Sequence, residues 1–162
     1  MSLTIEEISD RLLIEDLYSR YVHYADSSDI DGLDQIFEST TVLDYSSAGA
    51  GTATWEQARD TPLIRGEIFW RVHHLYTNIL IDFAPDQVTA TTSVKVFCPS
   101  ATASGQLPGT VIELLGTYSD LLVRSDGQWK FRRRKWTPMW TSVGQTVQTE
   151  IDLDIEHKGI TS

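Results

Sequence analysis

At 162 residues, 41% of them hydrophobic and 22% charged, the chain suits one domain with a sizeable core. A net charge of −10 argues against nucleic acid or an anionic membrane as partner, because both need a basic surface. A single cysteine closes no internal disulfide, the N-terminus lacks a signal-peptide profile and no apolar run reaches ~20 residues, so the expected location is cytoplasmic.

Thr4 followed by Glu7 is a capping box, which predicts a first helix from there to about Asp26. Ile14, Leu17, Tyr18, Tyr21, Val22 and Ala25 fall at i, i+3, i+4, i+7 spacing and form its apolar stripe. Ser27 and Ser28 stop the pattern, which leaves Asp26 in the last turn, beside carbonyls that present partial negative charge. Half buried, that carboxylate would serve proton exchange; solvated, it merely opens the acidic turn that continues with Asp29, Asp31 and Asp34. A short second helix with Leu33, Ile36 and Phe37 follows Asp29 or Asp31 as N-cap. Thr41 to Tyr45 reads as a strand, and the small residues Ser46 to Gly51 as a flexible connection. Thr54 with Gln57 caps a turn at Trp55, and Thr61 with Pro62 predicts another helix through about Trp70.

From Val72 the period becomes alternating, with Leu75, Ile79, Ile81 and Phe83 on one side and His74, Tyr76, Asn78 and Leu80 on the other. A turn at Ala84-Pro85-Asp86 leads to a strand whose apolar side is Ala90, Val94, Val96 and Cys98. The stretch Pro99 to Gly109 reads as a loop long enough to act as a lid. Thr110 to Arg124 and Gln128 to Trp140 are two long strands joined by a tight turn at Ser125-Asp126-Gly127. The basic run Arg132 to Lys135 lies within the second of them and reads as a solvated strand face. The expectation is an α+β fold, a curved antiparallel or mixed sheet packed by N-terminal helices, over residues 1–145, with 146–162 as a tail or edge arm. The pocket would lie between the concave face and the first helix.

Little in the chain points to metal or cofactor chemistry. The histidines are His23, His73, His74 and His157, none at ligand spacing, and neither a phosphate-binding glycine loop nor a G-x-S-x-G turn occurs. No cofactor is expected. Cys98 has no evident base in sequence and reads as a small core residue. Acid–base chemistry remains, through Asp26, His74 and Tyr45, in which a carboxylate would fix the imidazole tautomer and stabilise its cation.

The strings R-x-x-I-x-D-L-Y from Arg11, A-D-S-x-D from Ala25, V-L-D-Y from Val42, H-x-x-T-N from His74 and D-G-x-W-K-F from Asp126 resemble the SnoaL-like branch of the nuclear-transport-factor-two-like superfamily. Scytalone dehydratases and hexachlorocyclohexane dehydrochlorinases belong to the same group. The resemblance implies a cone-shaped, cystatin-like α+β half barrel, a homo-oligomer with a trimer favoured over a dimer, and cofactor-free elimination from a small substrate. It identifies Asp26 and His74 as the catalytic pair and Tyr45 as the residue that positions water on a carbonyl. Arg134 matches the pocket arginine of the dehydrochlorinases, and needs a bulge to point inward because it shares the parity of Lys130 and Arg132. Ala25, Cys98 and Asp120 stand where scytalone dehydratases have a tyrosine, a histidine and an asparagine, and Tyr21 stands where dehydrochlorinases have a lysine. Scytalone and halide elimination are therefore both disfavoured. With Tyr21, Cys98, Asp120 and Arg134, the residues Trp55, Tyr76, Val96 and Trp136 are the expected substrate contacts, and Phe69 and Trp70 further wall residues. The implied function is a dehydratase acting on a small hydroxylated cyclic carbonyl compound, with isomerisation, polyketide-type cyclisation or plain ligand binding as alternatives.

Overall fold

The computed structural model describes residues 3–86, 88–102 and 110–145. The expected tail at 146–162 and most of the expected lid, 103–109, lie outside the described residues. Helix α1 spans Ile5–Ser27 and opens with the capping box: Thr4 Oγ1 accepts the Glu7 N–H at 3.1 Å and the Glu7 carboxylate accepts the Thr4 N–H at 2.7 Å. It buries Ile14, Leu17, Tyr18 and Tyr21, and Ser28 closes it in the left-handed region at φ 55°. Helix α2, Ile30–Ile36, is capped by Asp29, whose Oδ1 accepts the Gly32 N–H at 2.9 Å.

Strand β1 (Phe37–Tyr45) turns through a short 3-10 segment, Ser46–Ala48, inside the expected connection, and that connection ends in β2 (Gly51–Thr54), a strand the sequence did not announce. Helix α3 is one capped turn, Trp55–Ala58. The helix expected from Thr61 does not form. One helical hydrogen bond, from Arg65 N–H to the Thr61 carbonyl, is followed by Gly66 at φ 72°, where a Cβ would strike the Ser28 hydroxyl. A backbone in that conformation cannot propagate a right-handed helix. The chain enters β3 (Phe69–Val72) instead.

The remaining strands are β4 (Leu75–Phe83), β5 (Thr89–Thr102), β6 (Thr110–Ser125) and β7 (Gln128–Gln145). The first residues of the expected lid, 99–102, thus continue β5. The seven strands form one mixed sheet in the order β2-β1-β7-β6-β5-β3, with β4 also on β5; β1 and β7 are parallel and the other pairs antiparallel. The α1 stripe packs into the concave side against Phe131, Leu122, Val94 and Ala90, each no more than 1% exposed. This is an α+β, cystatin-like architecture. No helix among the described residues is long and apolar enough to cross a membrane.

Two irregularities decide which side chains face inward. In β4, Asn78 at φ 52° adds one residue between the Thr77–Lys95 and Leu80–Ser93 pairs. The alternation therefore reverses there: Tyr76 joins Ile79 and Ile81 on the core side, while Leu75, expected on that side, is 45% exposed. In β7, Phe131 pairs with Leu122 and Arg133 with Leu121, so Arg132 is the extra residue and Arg134 turns inward opposite Asp120. The basic run is accordingly split, with Arg132 and Arg133 half exposed and Arg134 fully buried.

Candidate active site

Asp26 is held at the end of α1 by a tight exit, in which the Ser28 N–H donates to the Ala25 carbonyl and the Asp29 N–H to the Tyr24 carbonyl. His74 lies in the two-residue break between β3 and β4, where its backbone N–H has no strand partner. That N–H donates to Asp26 Oδ2 at 3.0 Å, and the ring Nδ1 meets Asp26 Oδ1 at 2.5 Å. The side chains are 16% and 10% exposed. An ionised carboxylate only accepts, so Nδ1 carries the proton of this bond and Nε2 is the nitrogen left for proton transfer. The exposed His73 ring stands 3.5 Å from the other Asp26 oxygen.

Burial works against a charged His74 ring. Tyr21, the Asp26 carboxylate and the Cys98 thiol, which hydrogen-bonds the ring, outweigh it, and the imidazole is pushed up to about 10. Tyr21 meets the ring edge-on at 5.7 Å, and Tyr76 lies nearly parallel to it at 6.4 Å.

Behind these rings is a buried ion pair. Arg134 and Asp120 both have side chains with no exposure; the guanidinium donates from Nη2 at 2.8 Å and from Nε at 3.1 and 3.2 Å. The Tyr18 hydroxyl donates to the same carboxylate at 2.5 Å and also contacts the Thr92 hydroxyl. Arg134 lies over Tyr21, Phe131 and Tyr118 at 4.0, 4.2 and 4.3 Å from their ring centres. Burial opposes its charge, but Asp120 more than compensates and holds the guanidinium above its ordinary value. Two buried polar atoms here have no hydrogen-bond partner, Arg134 Nη1 and the Tyr76 hydroxyl. Burial raises the phenols of Tyr76, Tyr45 and Tyr118 above the ordinary tyrosine value, so each remains a donor at neutral pH.

A cavity of about 510 Å³ lies between α1 and β4, lined by Glu15, Ser19 and His23 from the helix and by His74, Tyr76 and Asn78 from the strand side, with Val94 also contributing. Sequence reasoning passed over its helical wall, although Glu15, Ser19 and His23 recur every four residues on one face.

The expected contacts separate into two groups. Val96, Cys98 and Trp136 form a second buried cluster with Tyr118, against which Tyr45 and Tyr76 pack, and Tyr45 hydrogen-bonds Tyr118. Tyr21 and Arg134 pack on Tyr118 of that cluster, and of all these residues Tyr76 alone lines the cavity. Trp55 belongs elsewhere: it is 2% exposed, stacks on Phe37 at 5.0 Å and donates its indole N–H to Asp34 at 2.7 Å, which makes it core. Asp120 has both oxygens engaged by Arg134 and Tyr18, so it holds the arginine rather than reaching a ligand. The Trp70 side chain lies outside the described residues. Among the described residues no three His, Cys, Asp or Glu side chains converge as a metal site would require.

The sequence matches the SnoaL-like domain over residues 6–135. No protein of curated function matches it. Among solved structures, a candidate scytalone dehydratase from Novosphingobium aromaticivorans is 25% identical, with a TM-score of 0.73 over 86% of this chain and 91% of that one. A type 2 hexachlorocyclohexane dehydrochlorinase is 18% identical, with a TM-score of 0.76 over 90% and 95%. A protein of unknown function with a cystatin-like fold from Nostoc punctiforme is 20% identical, with a TM-score of 0.65 over 86% and 96%. The domain match covers most of the chain, and the solved structures share its fold: this chain is a member of the SnoaL-like domain family.

Proposed function

We propose that the chain is a cofactor-independent acid–base enzyme of the cytosol, a lyase that dehydrates a small hydroxylated cyclic carbonyl compound. The observation that carries this reading is the 2.5 Å contact between Asp26 and His74 at the edge of a cavity large enough for such a ring. The likeness to a candidate scytalone dehydratase supports the reaction class. His74 Nε2 removes the proton alpha to the carbonyl, and Asp26 stabilises the imidazolium that results. The unpartnered Tyr76 hydroxyl and Arg134 Nη1, with Tyr45 beside them, are buried donors suited to the enolate oxygen. The imidazolium then returns its proton to the departing hydroxyl, and the products are water and a conjugated carbonyl compound.

The test is turnover of the natural chain, Asp26→Asn and His74→Gln on a panel of cyclic β-hydroxy ketones, followed by the absorbance of the conjugated product. Loss of roughly 10²- to 10⁴-fold in both variants is expected. Equal rates in all three reject the dyad. The same pair would serve double-bond isomerisation or intramolecular aldol closure, so unconjugated enones and diketones belong on the panel.

The chain is further read as a homo-oligomer, a trimer ahead of a dimer. Leu75, Phe97, Leu115 and Trp140 stand opposite one another across four strands, and Leu75 and Trp140 are 45% and 50% exposed. Such a row favours burial against another copy. A single-chain mass by light scattering would reject it.

A further inference from the structure

The cavity has two unlike ends. Asp26, in the last turn of α1, holds His74 just before β4, and about four turns earlier Arg11 donates to the Ile81 carbonyl at 3.2 Å, so helix and strand run antiparallel along it. Tyr18 meets Tyr76 edge-on at 5.3 Å between those points. His23 therefore stands at the His74 end of the lining, Ser19 in the middle and Glu15 at the end toward Asn78 and Ile79, roughly 12 Å from His23 along the helix axis. Among the described residues Glu15 is the one acidic side chain of that lining, no lysine or arginine shares it, and its carboxylate has neither a hydrogen bond nor an ion pair. Asp16, one position on, is turned away from the cavity and bonded to Arg20 at 2.6 Å. Room is left as well: at about 30 Å³ per water, a cavity of about 510 Å³ takes roughly 17 of them, more than one small ring displaces.

We propose that the cavity takes a cyclic ketone that carries a protonated amine at its far end, the ketone ring lying at His74 and Tyr76 and the ammonium on the Glu15 carboxylate. The inference rests on the reading of this cavity as the substrate site, and it narrows the substrate class. A lone carboxylate on a wall without basic groups is complemented by a cation, whereas a neutral hydroxyl would already find partners in Ser19, Thr77 and Asn78. The net charge of −10 draws cations toward the chain. The His74 ring, which carries the opposing charge, lies at the other end, beyond the ~8 Å over which exposed charges act at physiological salt. Glu15 is thus a specificity residue: it moves no proton in the reaction and sets which ring compound stays bound.

The probes are 4-phenylcyclohexanone and its para-hydroxymethyl and para-aminomethyl derivatives, titrated into the folded chain by calorimetry at low salt. The amine is expected to bind about fivefold more tightly than the other two, and to lose that advantage in about 0.5 M sodium chloride and in Glu15→Gln. Glu15 is exposed on a helix surface and glutamine is as good a helix former, so the variant keeps the fold. Asp16→Asn makes the same charge change on the outer face of α1 and should keep the preference. Equal affinities for the three ketones, an alcohol that binds as well as the amine, a preference that survives Glu15→Gln or is lost equally in Asp16→Asn, or no binding at all, overturns the proposal. Binding is read without turnover, so these outcomes leave the Asp26–His74 reading to its own panel, and a chain that dehydrates nothing can still prefer the amine.

Discussion

Asp26 accepts both the ring N–H and the backbone N–H of His74, so one carboxylate sets the orientation of the base and the point where its strand begins. Chemistry and local folding share a single contact. Its removal should therefore be visible in rate and in stability separately.

With the His74 ring pushed up to about 10, the neutral form needed for proton abstraction is scarce at neutral pH. The kcat/KM for elimination should rise about tenfold per pH unit toward an inflection near 10. Asp26→Asn removes the carboxylate that favours the cation, and should lower both the inflection and the plateau. A pH–rate series on both proteins decides; a profile flat from about pH 6 to 9 in the natural chain would exclude His74 as the base.

The same shift predicts the sign of the pH dependence of folding. The folded-state value is raised from an ordinary 6.5, so the stabilisation is present in full below about 6.5 and is lost as pH rises through about 10. Each unit of difference corresponds to about 1.4 kcal/mol. Urea midpoints of the natural chain should fall across that window, and those of His74→Gln should fall less.

Asp120→Asn leaves the fully buried Arg134 charge without its counter-ion. A loss of about 3–5 kcal/mol in urea unfolding is expected. Replacing both partners together, Asp120→Leu with Arg134→Met, should cost far less, because no unpaired charge remains. A double variant as unstable as the single one would show that the pair is not the source of the penalty.

Tyr76→Phe separates binding chemistry from packing. Its hydroxyl has no partner in the protein, so the unfolding free energy should change by less than about 1 kcal/mol. Donation to the enolate oxygen would instead lower kcat roughly 10²- to 10³-fold. Unchanged turnover would remove Tyr76 from the oxygen-binding role.

Local signals carried much of the fold into the sequence. Thr4 with Glu7 marked the start of α1, the Ser27-Ser28 stop placed Asp26 in its last turn, and the alternation from Ala90 to Cys98 gave the inner face of β5. Those features depend on neighbours a few residues away. The helix expected from Thr61 failed because Gly66 takes a positive φ against Ser28, a contact made only after α1 is in place. The face assignment around Tyr76 failed because strict alternation has no means of announcing the extra residue at Asn78. Trp55 looked like a pocket wall because an aromatic side chain carries no mark of whether its indole finds Asp34 or a ligand. The contact between Cys98 and His74 was invisible for a related reason: 24 positions separate them, and only the folded sheet brings them together.

The extra residues at Asn78 and Arg132 make the interior sensitive to counting. Exchanging either side chain leaves the step in place, whereas shortening β4 or β7 by one position would carry Tyr76 or Arg134 to the outer surface. Kinship across this group is therefore better judged by allowing a gap at these two points than by scoring residue against residue. An ungapped comparison would set inward positions of one protein against outward positions of another, and distant relatives that keep the same chamber would look unrelated.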